Sequence, residues 1–532
     1  DWGRKFVCSN SDHCQMVMYE DRYIARNPDF PAPGPRVSIA TDGPQAEVFR
    51  LSPVEPWRIV RTRLRASGVV PGLVEGGGRP AGYFTGATGI TIYRGDALPD
   101  LRGMAIVGDV GSNLVHRKRL VPDGVGFKAE RIDAGTELVR SKDIWFRPVQ
   151  FANGPDGCLH ILDMYREVIE HPKRLPPEIK QHLDLTSGRD RGRRYRVAPQ
   201  GYDHADPNHV GLLPTQTLAW LLSTDNAWAR QTASRILYEK GTDAPFYVRE
   251  LLLKGETPLA RMHALYALDG IKQLSADDVL RGLDDADSQV RRHAVRLAEQ
   301  FIASPQVRDR LACVAADDSL EVRYQLAFTA GEFPVDWRLP VLTDILRRDG
   351  AEPWIHVAAL SSLADGAEQV LANLLADLAF LAQAQAAEVT APLARLVGRQ
   401  NRPAALLAVL SAVQSPVVIE SGLAERVLLD LATGNPRLQQ QIQGTPAGEM
   451  LAQLLTQARA RIGDVALELP RRAAAVRLLR LGDWAQDGTA LAALLHPQQP
   501  AELQSAAVSV LATYTDPAAA ELLVSRWQRL SC

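Results

Sequence analysis

The sequence predicts a multidomain β + α chain: part of a β-propeller over residues 1–199, a linker at 200–208, and a HEAT-like α-solenoid over 209–532. Three observations predict it. Up to Val197 the chain alternates short apolar-polar runs with Gly- and Pro-rich turns, the period of strands rather than helices. Beyond Pro207 it is rich in Ala and Leu with helical spacing. The change falls in one stretch, Phe151 to Val197, which opens on the turn Asn153-Gly154-Pro155-Asp156-Gly157 and closes on the strand-like Arg194-Tyr195-Arg196-Val197. In that turn Pro155 presets φ and Gly157 supplies the positive φ.

The strand runs of the first part are Gln15–Tyr19, Ala46–Leu51, Gly89–Tyr93, Met104–Asp109, Phe127–Ile132 and Leu159–Asp163. No long helix is expected between them, which argues for an all-β layer. A strand ending on an acidic residue, at Asp109 and again at Asp163, marks a unit of about 50 residues that suits four-stranded propeller blades. Three to four blades of this kind fit, so the remainder of a closed ring is expected upstream of Asp1, where the chain already reads as strand.

The helical part carries a repeat. Arg230, Arg261, Arg291 and Arg323 recur at spacings of 31, 30 and 32 residues within similar hexads, with further copies around His356, Pro470–Ala474 and Glu502–Ala506. Asp287 and Asp318 stand where a short acid can cap a helix. Helix pairs of this kind bury their apolar faces only by stacking on one another, and the arginine is expected to bond the adjacent repeat. Residues 369–457 fit the repeat less well while keeping a helical composition.

Charge and cysteines exclude several classes. Residues 1–200 hold 30 Lys+Arg against 24 Asp+Glu and the remainder 30 against 38, which is no nucleic-acid-binding stripe. No apolar run reaches the roughly 18 residues of a membrane span. The five cysteines, at 8, 14, 158, 313 and 532, form neither a C-x-x-C zinc motif nor a C-x-x-C-H haem motif. Cys8 and Cys14 can pair in an oxidising compartment or serve as small buried thiols.

Seven residues are candidates for ligand contact. Asp12, His13 and Arg22 stand in polar loops that suit the mouth of a propeller channel, or a hydrogen-bonded turn. His116 follows the Gly108-Asp109 turn and can be a ligand contact or a core histidine. Arg147, in Trp145-Phe146-Arg147-Pro148, can stack on a planar cofactor or pair with its carboxylates, or bond loop carbonyls. Asp163 and Arg166, in Asp163-Met164-Tyr165-Arg166-Glu167, can face a ligand or hold an excursion between blades.

Several of these motifs occur together in one order: Cys8-Ser9-Asn10-Ser11-Asp12-His13, Asp21-Arg22-Tyr23, Ser52-Pro53-Val54-Glu55-Pro56-Trp57-Arg58, Gly89-Ile90-Thr91-Ile92-Tyr93-Arg94-Gly95-Asp96, Asn113-Leu114-Val115-His116-Arg117, the Asn153–Gly157 turn, Asp163–Glu167, and Asp184–Gly192. In this the chain resembles the membrane-bound dehydrogenase family abundant in planctomycetes. Its members join a glucose/sorbosone dehydrogenase-like propeller to HEAT repeats and often to a C-terminal cytochrome c domain. The resemblance implies an oxidoreductase fragment using pyrroloquinoline quinone (PQQ) and calcium to oxidise a sugar or polyol. It implies a catalytic base upstream of Asp1, haem c only in a region beyond this chain, no activity for the fragment alone, and a periplasmic or otherwise extracytoplasmic location. The contrasting expectation is a non-enzymatic scaffold, with a glycan-binding propeller and a protein partner on the solenoid.

Overall fold

A computed structural model describes residues 1–203, 207–240 and 244–527. Eleven strands lie in the first 200 residues: β1 (Lys5–Ser9), β2 (Asp12–Val17), β3 (Arg36–Ser38), β4 (Ala87–Ile92), β5 (Ala105–Asp109), β6 (Leu114–Asp123), β7 (Gly126–Arg131), β8 (Val139–Arg140), β9 (Pro148–Asn153), β10 (Leu159–Asp163) and β11 (Arg193–Val197). They form three antiparallel sheets, β1-β2-β3, β4-β5-β6-β7 with β8 on β6, and β11-β10-β9. No closed propeller is present among the described residues. The Asn153–Gly157 turn does what its residues demand, joining β9 to β10 with Gly157 at φ 74°.

Every residue of β5 is buried, and its alternation serves two cores. Ile106 packs with Tyr93, Val115, Phe146, Phe151, Leu159 and Ile161, which joins the middle sheet to the last one. Val107 packs with Ala46, Val48, Phe84, Ala87 and Leu114.

Two local expectations fail. Ala46–Leu51 forms no strand beyond an isolated bridge between Glu47 and Tyr83. Pro56–Ala66 is a helix of 11 residues, with Pro56 at its first turn. Trp57 of this helix packs with Val168, Leu175 and Ile179 of the excursion after β10.

Strand gives way to helix between Val197 and Thr215; residues 204–206 of the expected linker lie outside the described residues. The chain forms two compact units that divide elsewhere. The first comprises Asp1–Glu20, Gly34–Leu311 and Ser319–Val322; the second comprises Asp21–Pro33, Ala312–Asp318 and the chain from Arg323 onward. In the first unit the opening helices pack on the sheets: Ala227 donates its N–H to the Arg94 carbonyl, and the Arg296 guanidinium pairs with Glu20.

Within each unit successive helices stack. Pro258–Gly270 packs on Ala227–Lys240, Ala244–Lys254, Ala276–Leu283 and Ser288–Leu297. In the second unit Ala386–Gln400 packs on Ala367–Ala376, Pro403–Val413 and Leu423–Gly434, so stacking continues where the repeat is hard to read. Arg230, Arg261, Arg291, Arg323 and His356 each stand three residues after the first residue of a helix, as do Arg472 and Gln504. Arg230, Arg261, Arg291 and Arg323 all donate to the carbonyl six residues earlier, which fixes the turn leading into the helix. Arg261 also grips Asp285 through two bonds, and Arg323 grips Asp349 in the same way. Asp287 caps its helix by accepting from the Gln289 and Val290 N–H groups. The helix after Asp318 begins at Leu320, one residue later than a cap at Asp318 requires.

Arg323 and Asp349 are almost fully buried. Replacing one partner leaves an uncompensated charge, so Arg323→Ala should cost about 3 kcal/mol. The measurement is the urea midpoint of the second unit's transition, which should fall.

Candidate functional site

The β1–β2 hairpin reverses at Asn10-Ser11, so Asp12 and His13 belong to a strand and not to a loop. Asp12 is spent locally, accepting from the Cys14 N–H, the Gln15 amide and the Ser38 hydroxyl. His13 is fully buried and stacks on Phe84 at 4.2 Å between ring centroids. Its Nδ1 lies 2.7 Å from the Pro44 carbonyl, so it must carry the proton and donate it.

His116, equally buried, lies edge-on to both His13 and Phe84. Its Nδ1 faces Glu137 at 2.5 Å, again as donor. The structure therefore brings His13 and His116 together, each with a lone-pair Nε2 that is buried without a partner. Burial pushes His13 down to about 3, against the Pro44 bond, with the Lys118 charge adding to the effect. Burial also lowers His116, outweighing Glu137.

Arg147, Asp163 and Arg166 form a second group. Arg147 is fully buried with every nitrogen engaged. Nε donates to the Arg166 carbonyl, Nη1 to Glu55 and the Val110 carbonyl, and Nη2 to Glu55 and the Glu167 carbonyl. Asp163 accepts from the N–H groups of Arg147 and Tyr165. Arg166 donates one nitrogen to the carbonyls of Met164, Tyr165, Gly188 and Arg191. Glu55 also accepts from Arg58 at 3.3 Å. Burial alone would raise Glu55, but the Arg58 and Arg147 charges outweigh it and hold the carboxyl below its usual range. Arg22 belongs to the second unit, where its guanidinium lies 4.0 Å from the Tyr23 ring centroid and Tyr23 stacks on Phe328.

These residues do not fit PQQ or calcium. Arg147 has no donor left for a quinone carboxylate, and the Arg166 Nη1 and Asp163 Oδ1 bonds close an internal latch; the Asp163 Oδ2 is buried without a hydrogen bond, a single oxygen where calcium takes about six to eight. Calcium takes oxygen ligands, whereas the paired His13 and His116 offer nitrogens. No group of three or more His, Cys, Asp or Glu is gathered to hold a metal among the described residues. Of the cysteines, Cys8, Cys14 and Cys158 are free thiols, and Cys532 lies outside the described residues.

A cleft of about 640 Å³ opens elsewhere in the first unit. Trp2, Arg4 and Phe6 lead into and form part of β1, Ile90 and Ile92 come from β4, and Phe127 comes from β7. Arg94, Arg102 and Asn153 stand at loop edges, and Gln231 and His263 reach in from two helices. Each lining guanidinium already has a carboxylate: Arg4 with Glu321 at 2.8 Å, Arg94 with Asp1 at 2.8 Å, and Arg102 with Asp225 at 2.6 Å. His263 Nε2 is buried without a hydrogen bond, and burial, followed by the Arg230 charge, pushes the ring down to about 3. The cleft thus combines apolar and aromatic surface with neutral polar groups and balanced charge. None of the seven sequence candidates lines it; Ile90, Ile92, Arg94 and Asn153 stand in the quoted motifs, yet nothing local marks them as neighbours of Trp2.

Residues 1–201 match a family described as a domain of unknown function, DUF7133. No curated protein matches the chain. Solved structures that match include the karyopherin Kap121p bound to the extreme C-terminus of the protein phosphatase Cdc14p. That likeness has 12% identity and a TM-score of 0.31, over 59% of this chain and 43% of that one. This chain therefore spans less than half the length of that protein.

The buried histidines set a pH dependence. An unfolded histidine binds a proton below about 6.5, whereas folded His13 resists one until about 3. Its contribution to stability is complete above pH 6.5 and is lost progressively as pH falls toward 3. The melting temperature should therefore drop on acidification from pH 7 to 4.5, and His13→Gln should flatten that slope.

Proposed function

We propose that this chain is a carbohydrate-binding scaffold: the sheet region, as propeller-like blades, holds a neutral sugar, and the HEAT-like helical array engages a protein partner. The observation that carries the reading is the charge balance of the 640 Å³ cleft. A site built for an anion leaves cations unpaired, but Arg4, Arg94 and Arg102 each contact a carboxylate, Arg94 sharing Asp1 with Arg230. What remains on offer is the half-buried Trp2 ring, the apolar rim of Phe6 and Phe127, the Gln231 amide and the His263 Nε2, which makes no hydrogen bond and lies 3.7 Å from Asp1. A pyranose matches that set, with C–H faces for aromatic rings and hydroxyls that donate and accept. A binding role on an exported protein accords with this reading. The quinone-dependent dehydrogenase has less support, because Arg147, the residue nominated to pair with a quinone carboxylate, spends all its donors on internal bonds.

The experiment is calorimetric titration of the chain with neutral mono- and oligosaccharides. Binding is expected, weakened about tenfold or more by Trp2→Ala and by Gln231→Ala. Absence of heat from the whole panel at about 1 mM sugar would overturn the reading. Quinone-dependent dye reduction by the same protein would restore the enzyme instead.

A further inference from the structure

The second unit holds a groove of about 520 Å³ with a different chemistry. It is lined by Gln439, Gln440 and Gln443 beside the helix Leu438–Ile442, by Glu449 of the helix Pro446–Gly463, and by Asp483 and Gln486 at the start of Trp484–Leu494. Buried Ile442, Leu451 and Leu455 form an apolar floor. We propose that this groove binds an extended peptide segment carrying a basic residue beside an apolar one.

The argument rests on which groups are free. Gln440 and Gln443 are exposed, and their side chains have no hydrogen-bond partner among the described residues, so each offers an amide donor and an amide acceptor. Gln439 spends its N–H groups on the Leu481 and Gly482 carbonyls, and Gln486 donates to Asp483, which leaves their two amide oxygens as acceptors. Side-chain amides reproduce the donor-acceptor pattern of the peptide group, so such a row pairs with a backbone whatever its sequence.

Selectivity comes from the remainder of the lining. The Glu449 carboxylate is exposed and unpaired, and Asp483 is exposed at its helix start, whereas Arg459 is already held by Asp487 at 2.6 Å. Residues 201–532 carry eight more acids than bases, so the groove lies in an acidic part of the chain. A basic side chain is matched by Glu449, and an apolar neighbour by the Leu451-Leu455 floor. A sugar fits less well, because no aromatic ring lines the groove to stack on its face. The inference rests on the reading that the helical array engages a protein partner, and it is independent of the sugar site, which lies in the other compact unit, so either can fail alone.

The test pans a library of short random peptides displayed on phage against the whole chain. Enriched sequences should pair Lys or Arg with an apolar residue. As synthetic peptides they should lose about tenfold or more in affinity to Gln440→Ala/Gln443→Ala. Glu449→Gln should weaken the same peptides and spare versions in which the basic residue is replaced by Ala. Enriched peptides that bind the double variant unchanged, or a library with no enrichment over a blank surface, would overturn the proposal. So would neutral oligosaccharide binding abolished by that double variant.

Discussion

Glu55 accepts from Arg147 and from Arg58 inside the sheet region, and the arrangement of that region depends on the carboxylate staying ionised there. Three far-separated segments meet at the Glu55–Arg147 pair: the helix 56–66 through Arg58 on Glu55, and, as acceptors from Arg147, the turn after β5 through the Val110 carbonyl and the excursion after β10 through the carbonyls of Arg166 and Glu167. Beside it the Ser52 hydroxyl donates to Asn113, whose amide donates to the Ile144 and Phe146 carbonyls. Asn113 sits at φ 59°, a left-handed conformation that asparagine tolerates better than most residues. Motifs scattered over more than 100 residues thus converge on one buried network. A buried charge costs several kcal/mol unless it is fully paired, and full pairing is what the network supplies.

The helical region is built on a smaller device used repeatedly. An arginine three residues into a helix turns its guanidinium back to the preceding loop, and in two repeats it also grips an aspartate of the next. At Arg230 the position of the downstream aspartate is taken by Lys254 and Gly255, and the guanidinium pairs instead with Asp1 of the sheet region. The arginine of the first repeat is thereby tied to the sheet region, while its helices still stack on the next repeat. With Arg292 donating to the Trp2 carbonyl and Arg296 pairing with Glu20, it is one of several contacts within the compact unit that runs from the sheets to Leu311.

The same accounting separates structural from available groups. Arg147 and the Arg166 Nη1 are consumed by the fold. The cleft beside Trp2 has its charges cancelled and keeps uncharged polar groups, whereas the Gln-lined groove keeps free amides beside a free carboxylate. Exposure alone would not have told these apart; the hydrogen-bond partners do.

The residues that set local geometry were legible in order. β10 occupies the run Leu159–Asp163, Gly157 takes the positive φ its turn requires, and the repeat arginines share one helical position. The helix 56–66 was not legible, because its apolar residues Trp57, Ile59, Val60 and Leu64 mark no single buried face: Val60 is exposed, and the side that packs with Trp57 buries Arg58 and Arg61. His13 was misplaced because strand pairing with β1, not its polar neighbours, fixes where β2 begins. Period, turn chemistry and composition determined by themselves that strands precede stacked helices, since these act through neighbours within a few residues. Which arginines and histidines remain available was decided only by the tertiary structure. A side chain's bonding capacity is taken by whatever burial brings within reach, and for Arg147 that partner lies 92 residues away.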